Sequence, residues 1–242
     1  MDRRKFVSYR IAKDFRERFI LPFNQLDINL HMLVGNHDTF YKNTNDVNAP
    51  ELLLYNQPNV SVYSECEVKE YDGFSIALVP WINSDNYADS VEFLRSAPAS
   101  VAMGHFEIEG ALMQPGMNCP HGLDHTYLKR FEQVLSGHFH HKSEVGNIRY
   151  LGSQMQFTWI DYGDNKYFHI FDTDTREITP VYNPIEMFQK VFYDDTEKTF
   201  EDIANADYSD TSYHLGNYFN IDGNGGFLWA NFTNSEESMN KA

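Results

Sequence analysis

At 242 residues, with 42% hydrophobic and 22% charged content, the chain has the composition of a globular protein able to bury one substantial core and the start of a second domain. Its formal net charge of -16 excludes a protein that grips nucleic acid through its overall field, because phosphate binding relies on Lys and Arg displacing condensed counterions. No apolar run approaches the roughly 18 residues of a membrane helix or forms a signal core, and Cys66 and Cys119 are too few for a disulfide framework or a Cys-based zinc site. A cytoplasmic protein with no membrane partner is expected, holding any metal through His, Asn, Asp or Glu.

The charge is uneven. Arg3, Arg4, Lys5, Arg10, Lys13, Arg16 and Arg18 crowd the start, whereas Asp194, Asp195, Glu197, Glu201, Asp202, Asp207 and Asp210 load the far end. The basic start reads equally as a solvated helix face or as a phosphate-facing patch. From Phe6 to Phe23, Val7, Ile11, Phe15 and Phe19 recur at helical spacing, which predicts one amphipathic helix closed by Pro22. Ile28 to Val34 is a strand, followed by a tight turn, Gly35-Asn36-His37-Asp38, whose glycine can adopt a conformation closed to other residues. Phe74 to Trp81 is a buried strand, Tyr87 to Leu94 a short helix, and Ser100 to Met103 a strand running into Gly104-His105. Tyr127 to Leu135 is expected to be a helix before the Gly137-His138 loop; Ile148 to Leu151, Phe157 to Asp161 and Tyr167 to Phe171 are expected to be strands. Early alternation and late strands predict an α/β (α+β) sandwich with mixed sheets and its polar loops gathered at one edge. After Pro184 come acidic residues and a Gly-Asn-rich tail from Gly216 to Gly226 with little periodicity, which sets a boundary of 1-183 for the core and 184-242 for a second, small segment.

Three polar loops each follow an apolar run: Gly35-Asn36-His37-Asp38, Gly104-His105, and Gly137-His138-Phe139-His140. On extended backbone His138 and His140, two apart, project to one side. Imidazole is the commonest nitrogen ligand for manganese, iron or zinc, and an Asn carbonyl is a neutral ligand that leaves a divalent ion electrophilic. A single Gly-His is more often a turn than a ligand. His31 is read as structural, and His121 and His125 as surface-loop residues around Gly122.

In this order and spacing, Gly35-Asn36-His37-Asp38, His105 and the Gly-His-x-His of 137 to 140 resemble the third, fourth and fifth signature blocks of calcineurin-like metallophosphoesterases. Val79-Pro80-Trp81, Gly152-Ser153 and Asn183-Pro184 narrow the resemblance to SbcD-type nuclease subunits of the kind found in tailed phages, over about residues 2 to 195. The resemblance implies a four-layer α-β-β-α sandwich and a two-metal site, with Mn2+ the expected ion. Asn36, His105 and His138 would hold one metal and His140 would help hold the other. His37 would serve the leaving group, with Asp38 orienting its imidazole. It implies a DNA exonuclease or endonuclease of repair, recombination or phage DNA metabolism, acting on DNA with an SbcC-type ATPase partner in a bacterial or phage-infected cytosol, and it allows a homodimer. The family's opening Asp-x-His and Gly-Asp-x-x-Asp blocks have no counterpart here beyond Asp2, and the capping domain expected from 184 onward follows the pattern only at its entry. The sequence therefore also fits a catalytically impaired fragment with an assembly role, or a phosphatase or phosphodiesterase of the same superfamily.

Overall fold

The computed structural model describes residues 6-188, residues 201 and 205, and the backbone of 190-192, 214-220 and 227-233. Asp2, the cluster Arg3-Arg4-Lys5, and Asp194, Asp195, Glu197, Asp202, Asp207 and Asp210 lie outside the described residues. The chain forms two units. The first runs to Gly152 and takes in Thr173–Thr175; the second comprises Ser153–Asp172 and the chain from Arg176 onward. Among the described residues no helix is long and apolar enough to cross a membrane.

The first unit opens with a helix whose start is fixed by Ser8, its side chain accepting the Ile11 N–H at 3.2 Å. Helix α1, Tyr9–Phe15, continues through a π turn, Arg16–Ile20, into α2, Leu21–Gln25. Pro22 does not end the helix. In the π turn the Leu21 N–H reaches back five residues to the Arg16 carbonyl, so Pro22 falls in the first turn of α2, where a missing N–H is tolerated. Of the residues in this helical stretch only Ile20 is buried.

Strand β1, Leu30–Leu33, pairs in parallel with β2, Val60–Tyr63, and α3, Ala49–Leu54, lies between them in the chain. His31 has the structural surroundings expected of it: its Nδ1 lies 2.7 Å from the Tyr63 hydroxyl and its ring stacks on that of Tyr63. The main sheet has six strands in the order β3-β4-β5-β8-β10-β9. These are β3, Glu67–Tyr71; β4, Phe74–Val79; β5, Val101–Gly104; β8, Gln133–Ser136; β9, Ser143–Val145; and β10, Ile148–Tyr150. The four inner strands are parallel and the two edges antiparallel. Inner strands of a parallel sheet are covered on both faces and read as continuous apolar runs, which is why β4 and β5 stand out in the sequence. Helix α4, Tyr87–Ser96, buries Val91 and Leu94 in the core that holds Val79, Ala102, Val134 and Ile148. Burying each such aliphatic side chain stabilises the fold by about 1.5–3 kcal/mol. A short hairpin, β6 (Leu112–Gln114) with β7 (Met117–Asn118), follows β5.

The helix expected over Tyr127 to Leu135 is absent. A single 3-10 turn, His125–Leu128, leads instead into β8. Leu128, Phe131, Val134 and Leu135 are all buried, so a helical spacing arises from one turn and a strand that face the same core. The Asn147 side chain satisfies the carbonyls of Leu128 and Phe131, at 2.9 and 2.7 Å, that a longer helix would have used.

In the second unit, Phe157 to Asp161 is not a strand. Trp159–Asp161 is a 3-10 turn entered through a capping box at Thr158. The Asp161 carboxylate accepts the N–H groups of Phe157 and Thr158 at 2.9 and 2.8 Å, and the buried Lys166 ammonium at 2.8 Å. Strand β11, Lys166–Phe171, pairs antiparallel with β12, Ile178–Asn183. Beyond it β13, Lys190–Phe192, β14, His214–Asn220, and β15, Phe227–Thr233, form a three-stranded sheet. Both β14 and β15 border or enter the Gly-Asn-rich stretch in which no element is expected from sequence. The described elements together make a mixed α+β fold.

Candidate metal centre

Each of the three polar loops begins at the C-terminal end of a parallel strand: β1, β5 and β8. Main-chain bonds bring these ends together. The Trp81 N–H donates to the Val34 carbonyl at 2.8 Å, the His105 N–H to Val79 at 3.1 Å, and the Gly137 N–H to Gly104 at 3.0 Å.

Three of the expected ligands meet there. His105 Nε2 lies 3.0 Å from Asn36 Oδ1 and 3.2 Å from His138 Nδ1. Nε2 has one position for a hydrogen, so it can donate to Asn36 or accept from His138 but not both. A cation bound at Nε2 would relieve this conflict by taking lone pairs from His105 and its neighbours. Burial, reinforced by the neighbouring His37 and His140, lowers the His105 pKa to about 4. For His138 burial is again the largest cause, with His105, His37 and His140 adding to it and Glu107 opposing, and the result is also about 4. Both imidazoles are therefore neutral near pH 7, the form a metal requires. Two neutral imidazoles and a neutral amide oxygen, fixed on three strand ends, fit a divalent ion of the manganese or zinc type.

His37 and His140, both exposed, lie close enough to influence His105 and His138 electrostatically. The Asp38 carboxylate accepts the Gly35 N–H at 2.9 Å and so closes its own loop. Gly35 is required for space and not for an unusual conformation: a Cβ there would sit 3.0 Å from His105 Cε1. The segment through His138 is not extended as the two-residue spacing suggests. His138 has φ 82°, in the left-handed region that costs a side-chain-bearing residue about 1–3 kcal/mol. Phe139 between the two histidines is buried against Tyr150, with ring centroids 4.8 Å apart, which anchors the bend.

Two residues of this centre were not anticipated from sequence. Trp81 stacks on the His138 ring at 5.3 Å and meets His105 edge-on at 6.0 Å. Glu107 places Oε2 3.5 Å from His138 Nε2, the nitrogen facing away from His105, and so orients the ring. Its two-residue offset from His105 is the same spacing that draws attention to His138 and His140, and is the signal by which it could have been found.

A mixed α+β unit that gathers neutral nitrogen and oxygen donors at the ends of parallel strands is suited to holding a divalent metal over an open face. The chain is similar to exonuclease subunit 1 of Enterobacteria phage T4, with 35% identity over 192 residues, which is 79% of this chain and 56% of that protein. It thus spans little more than half the length of that relative. No protein-family model matches the chain.

Proposed function

We propose that this chain is the metallophosphoesterase core of a DNA nuclease subunit that works with an SbcC-type ATPase. The position of His105 Nε2, 3.0 Å from Asn36 Oδ1 and 3.2 Å from His138 Nδ1, carries the reading. Its similarity to a protein named as an exonuclease subunit supports nuclease chemistry and a partner subunit. In this reading Asn36, His105 and His138 hold one ion, His140 contributes to a second, and Mn2+ is the natural occupant. Bound divalent ions supply Lewis-acid polarisation of the phosphodiester and a nucleophile available at neutral pH.

The chain's own residues do the rest. Trp81 and Glu107 fix the His138 ring from its face and its far nitrogen. Asp38 holds the Asn36-His37 loop in shape, and His37, exposed beside the three donors, protonates the departing oxygen or stabilises its charge. In this reading residues 1-183 belong to the nuclease core and 184-242 to a capping segment. The net charge of -16 makes the partner important, since this chain's field repels DNA.

The test is hydrolysis of linear DNA with Mn2+, with and without the ATPase partner, beside a panel of phosphopeptides. DNA degradation that depends strongly on the partner is expected and is abolished in His138→Ala. Turnover of phosphopeptides with none of DNA would replace the nuclease reading with that of a phosphatase.

A further inference from the structure

Glu107 has a second oxygen, and its surroundings are not those of a simple orienting carboxylate. Oε1 lies 2.9 Å from His121 Nδ1 and 3.8 Å from Cys119 Sγ. The three ligand atoms of Glu107, Cys119 and His121 all lie within 4.8 Å of one another. A thiol, an imidazole and a carboxylate around one point are the mixed soft and hard donors typical of zinc. With metal bonds of about 2.0–2.1 Å to nitrogen and oxygen and about 2.3 Å to sulfur, tetrahedral geometry separates such ligands by roughly 3.3–3.6 Å. The Glu107–His121 and Glu107–Cys119 separations bracket that range, and the Cys119 thiol, which donates to the His121 carbonyl at 2.8 Å, would exchange that bond for the metal.

The backbone on which these side chains stand is tightly built. The Cys119 N–H donates to the Ala111 carbonyl at 2.7 Å and the Gly110 N–H returns the bond to Cys119 at 2.8 Å. The Leu123 N–H donates to the Glu107 carbonyl, also at 2.8 Å. Between them Gly122 has φ 137°, and a Cβ there would lie 2.5 Å from the Glu107 carbonyl oxygen. Only glycine lets the 119–123 segment press this closely against Glu107. Cys119 is buried while His121 is 77% exposed on its side chain, so the cluster has a solvent-facing entry and a dry floor. The low cysteine count leads to the expectation that any metal is held through His, Asn, Asp or Glu; this cluster departs from it, because a mixed triad needs only one Cys.

We propose that Glu107, Cys119 and His121 form a second metal site, selective for zinc, that shares its carboxylate with the His138 ligand of the Asn36 centre. Zinc displaces the thiol proton of Cys119 to solvent and binds the thiolate, with water completing the coordination. The site does not depend on the nuclease reading, and its test does not use activity.

The experiment is titration of the full chain with Co2+ as a spectroscopic substitute for zinc. The Asn36 centre has no sulfur donor, so a near-ultraviolet sulfur-to-cobalt charge-transfer band reports a thiolate ligand alone. The band is expected in the unaltered chain and in Cys66→Ser, whose thiol lies beside Ser90 Oγ at 3.6 Å, and is expected to vanish in Cys119→Ser. Zinc affinity at this site should fall more than about tenfold in Cys119→Ser and in His121→Ala. If Cys119→Ser fails to fold by circular dichroism, zinc protection of Cys119 against alkylation, mapped by mass spectrometry in the unaltered chain, provides the same information. Cobalt binding without the charge-transfer band, or alkylation of Cys119 unaffected by zinc, would overturn the proposal and leave the cluster as a His–Glu hydrogen bond above a buried thiol.

Discussion

Replacing Lys166 with Met should destabilise the second unit by about 3 kcal/mol. Lys166 is 2% exposed and Asp161 3%, so neither has water to fall back on once its partner is gone. Burial raises the Asp161 pKa, but the Lys166 hydrogen bond, the N–H groups of Thr158 and Phe157 and the Lys166 charge outweigh it and hold the value at about 2. Relative to an ordinary value of 3.8, a depression of this kind corresponds to stabilisation on the order of 2–3 kcal/mol at neutral pH. Breaking a buried pair on one side typically costs about 3–5 kcal/mol, in the same range. Because the folded pKa is depressed, this stability is present above pH 3.8 and is lost as pH falls through about 2. The variant should therefore lose the acid-dependent part of its stability as well. Urea denaturation gives the overall change, and amide hydrogen exchange at Phe157 and Thr158, both donors to Asp161, localises it. Lys166 also bonds Asp164 at 2.8 Å, so adding Asp161→Asn to Lys166→Met removes the more buried of the two carboxylate charges and should recover part of the loss. A loss below about 1 kcal/mol with unchanged exchange at those two amides would refute the reasoning.

Four further outcomes are expected. His138→Ala should lower Mn2+ content measured by elemental analysis, whereas His37→Ala should leave it nearly intact while depressing turnover; loss of metal in the His37 variant would make that residue a ligand. Glu107→Gln, which weakens the acceptor facing His138 Nε2, should reduce Mn2+ affinity by about 10- to 100-fold in isothermal titration without unfolding the chain. Gly104→Ala puts a Cβ 2.3 Å from the buried Phe106 ring and should cost about 1–3 kcal/mol in thermal denaturation. Tyr150→Phe removes the hydroxyl that donates to the Phe106 carbonyl at 3.2 Å and should cost about 1 kcal/mol by the same measure.

Three of the four inner strands were legible because continuous burial writes itself as continuous apolar sequence: β4, β5 and β10 follow the expected strands closely, while β8 falls largely in the stretch expected to be a helix. The edges were not. Strand β3, with its Glu67, Lys69 and Glu70, has the mixed polarity of a half-solvated edge, and β2 is only four residues long. Tyr127 to Leu135 misled because burial on one side gives the same spacing whether the backbone is coiled or extended. Phe157 to Asp161 misled because its apolar residues dominate local pattern, while the deciding groups are Thr158 and Asp161 acting on the backbone. Of the candidate centre, the donors at 36, 105 and 138 could be found because glycine marks each loop. Trp81 contributes through ring stacking across the sheet, a relation that spacing along the chain does not encode, whereas Glu107 carries a signal in its two-residue offset from His105.

Asn36 and His105 are 69 positions apart in the chain, and His105 and His138 are 33 apart. Closing those loops requires the parallel pairing of β5 with β8 in the main sheet and the docking of β1, which pairs in parallel with β2, and parallel pairing is among the slowest events in folding. The three-donor point consequently has no counterpart in the unfolded chain or in an early intermediate. Any ion that takes it binds the native state alone and shifts the folding equilibrium by mass action, by about 2.7 kcal/mol when its concentration is a hundredfold above its dissociation constant. In the proposed reading, the melting temperature of the protein would act as a gauge of the metal supply in its surroundings, rising with free ion even where no substrate is present.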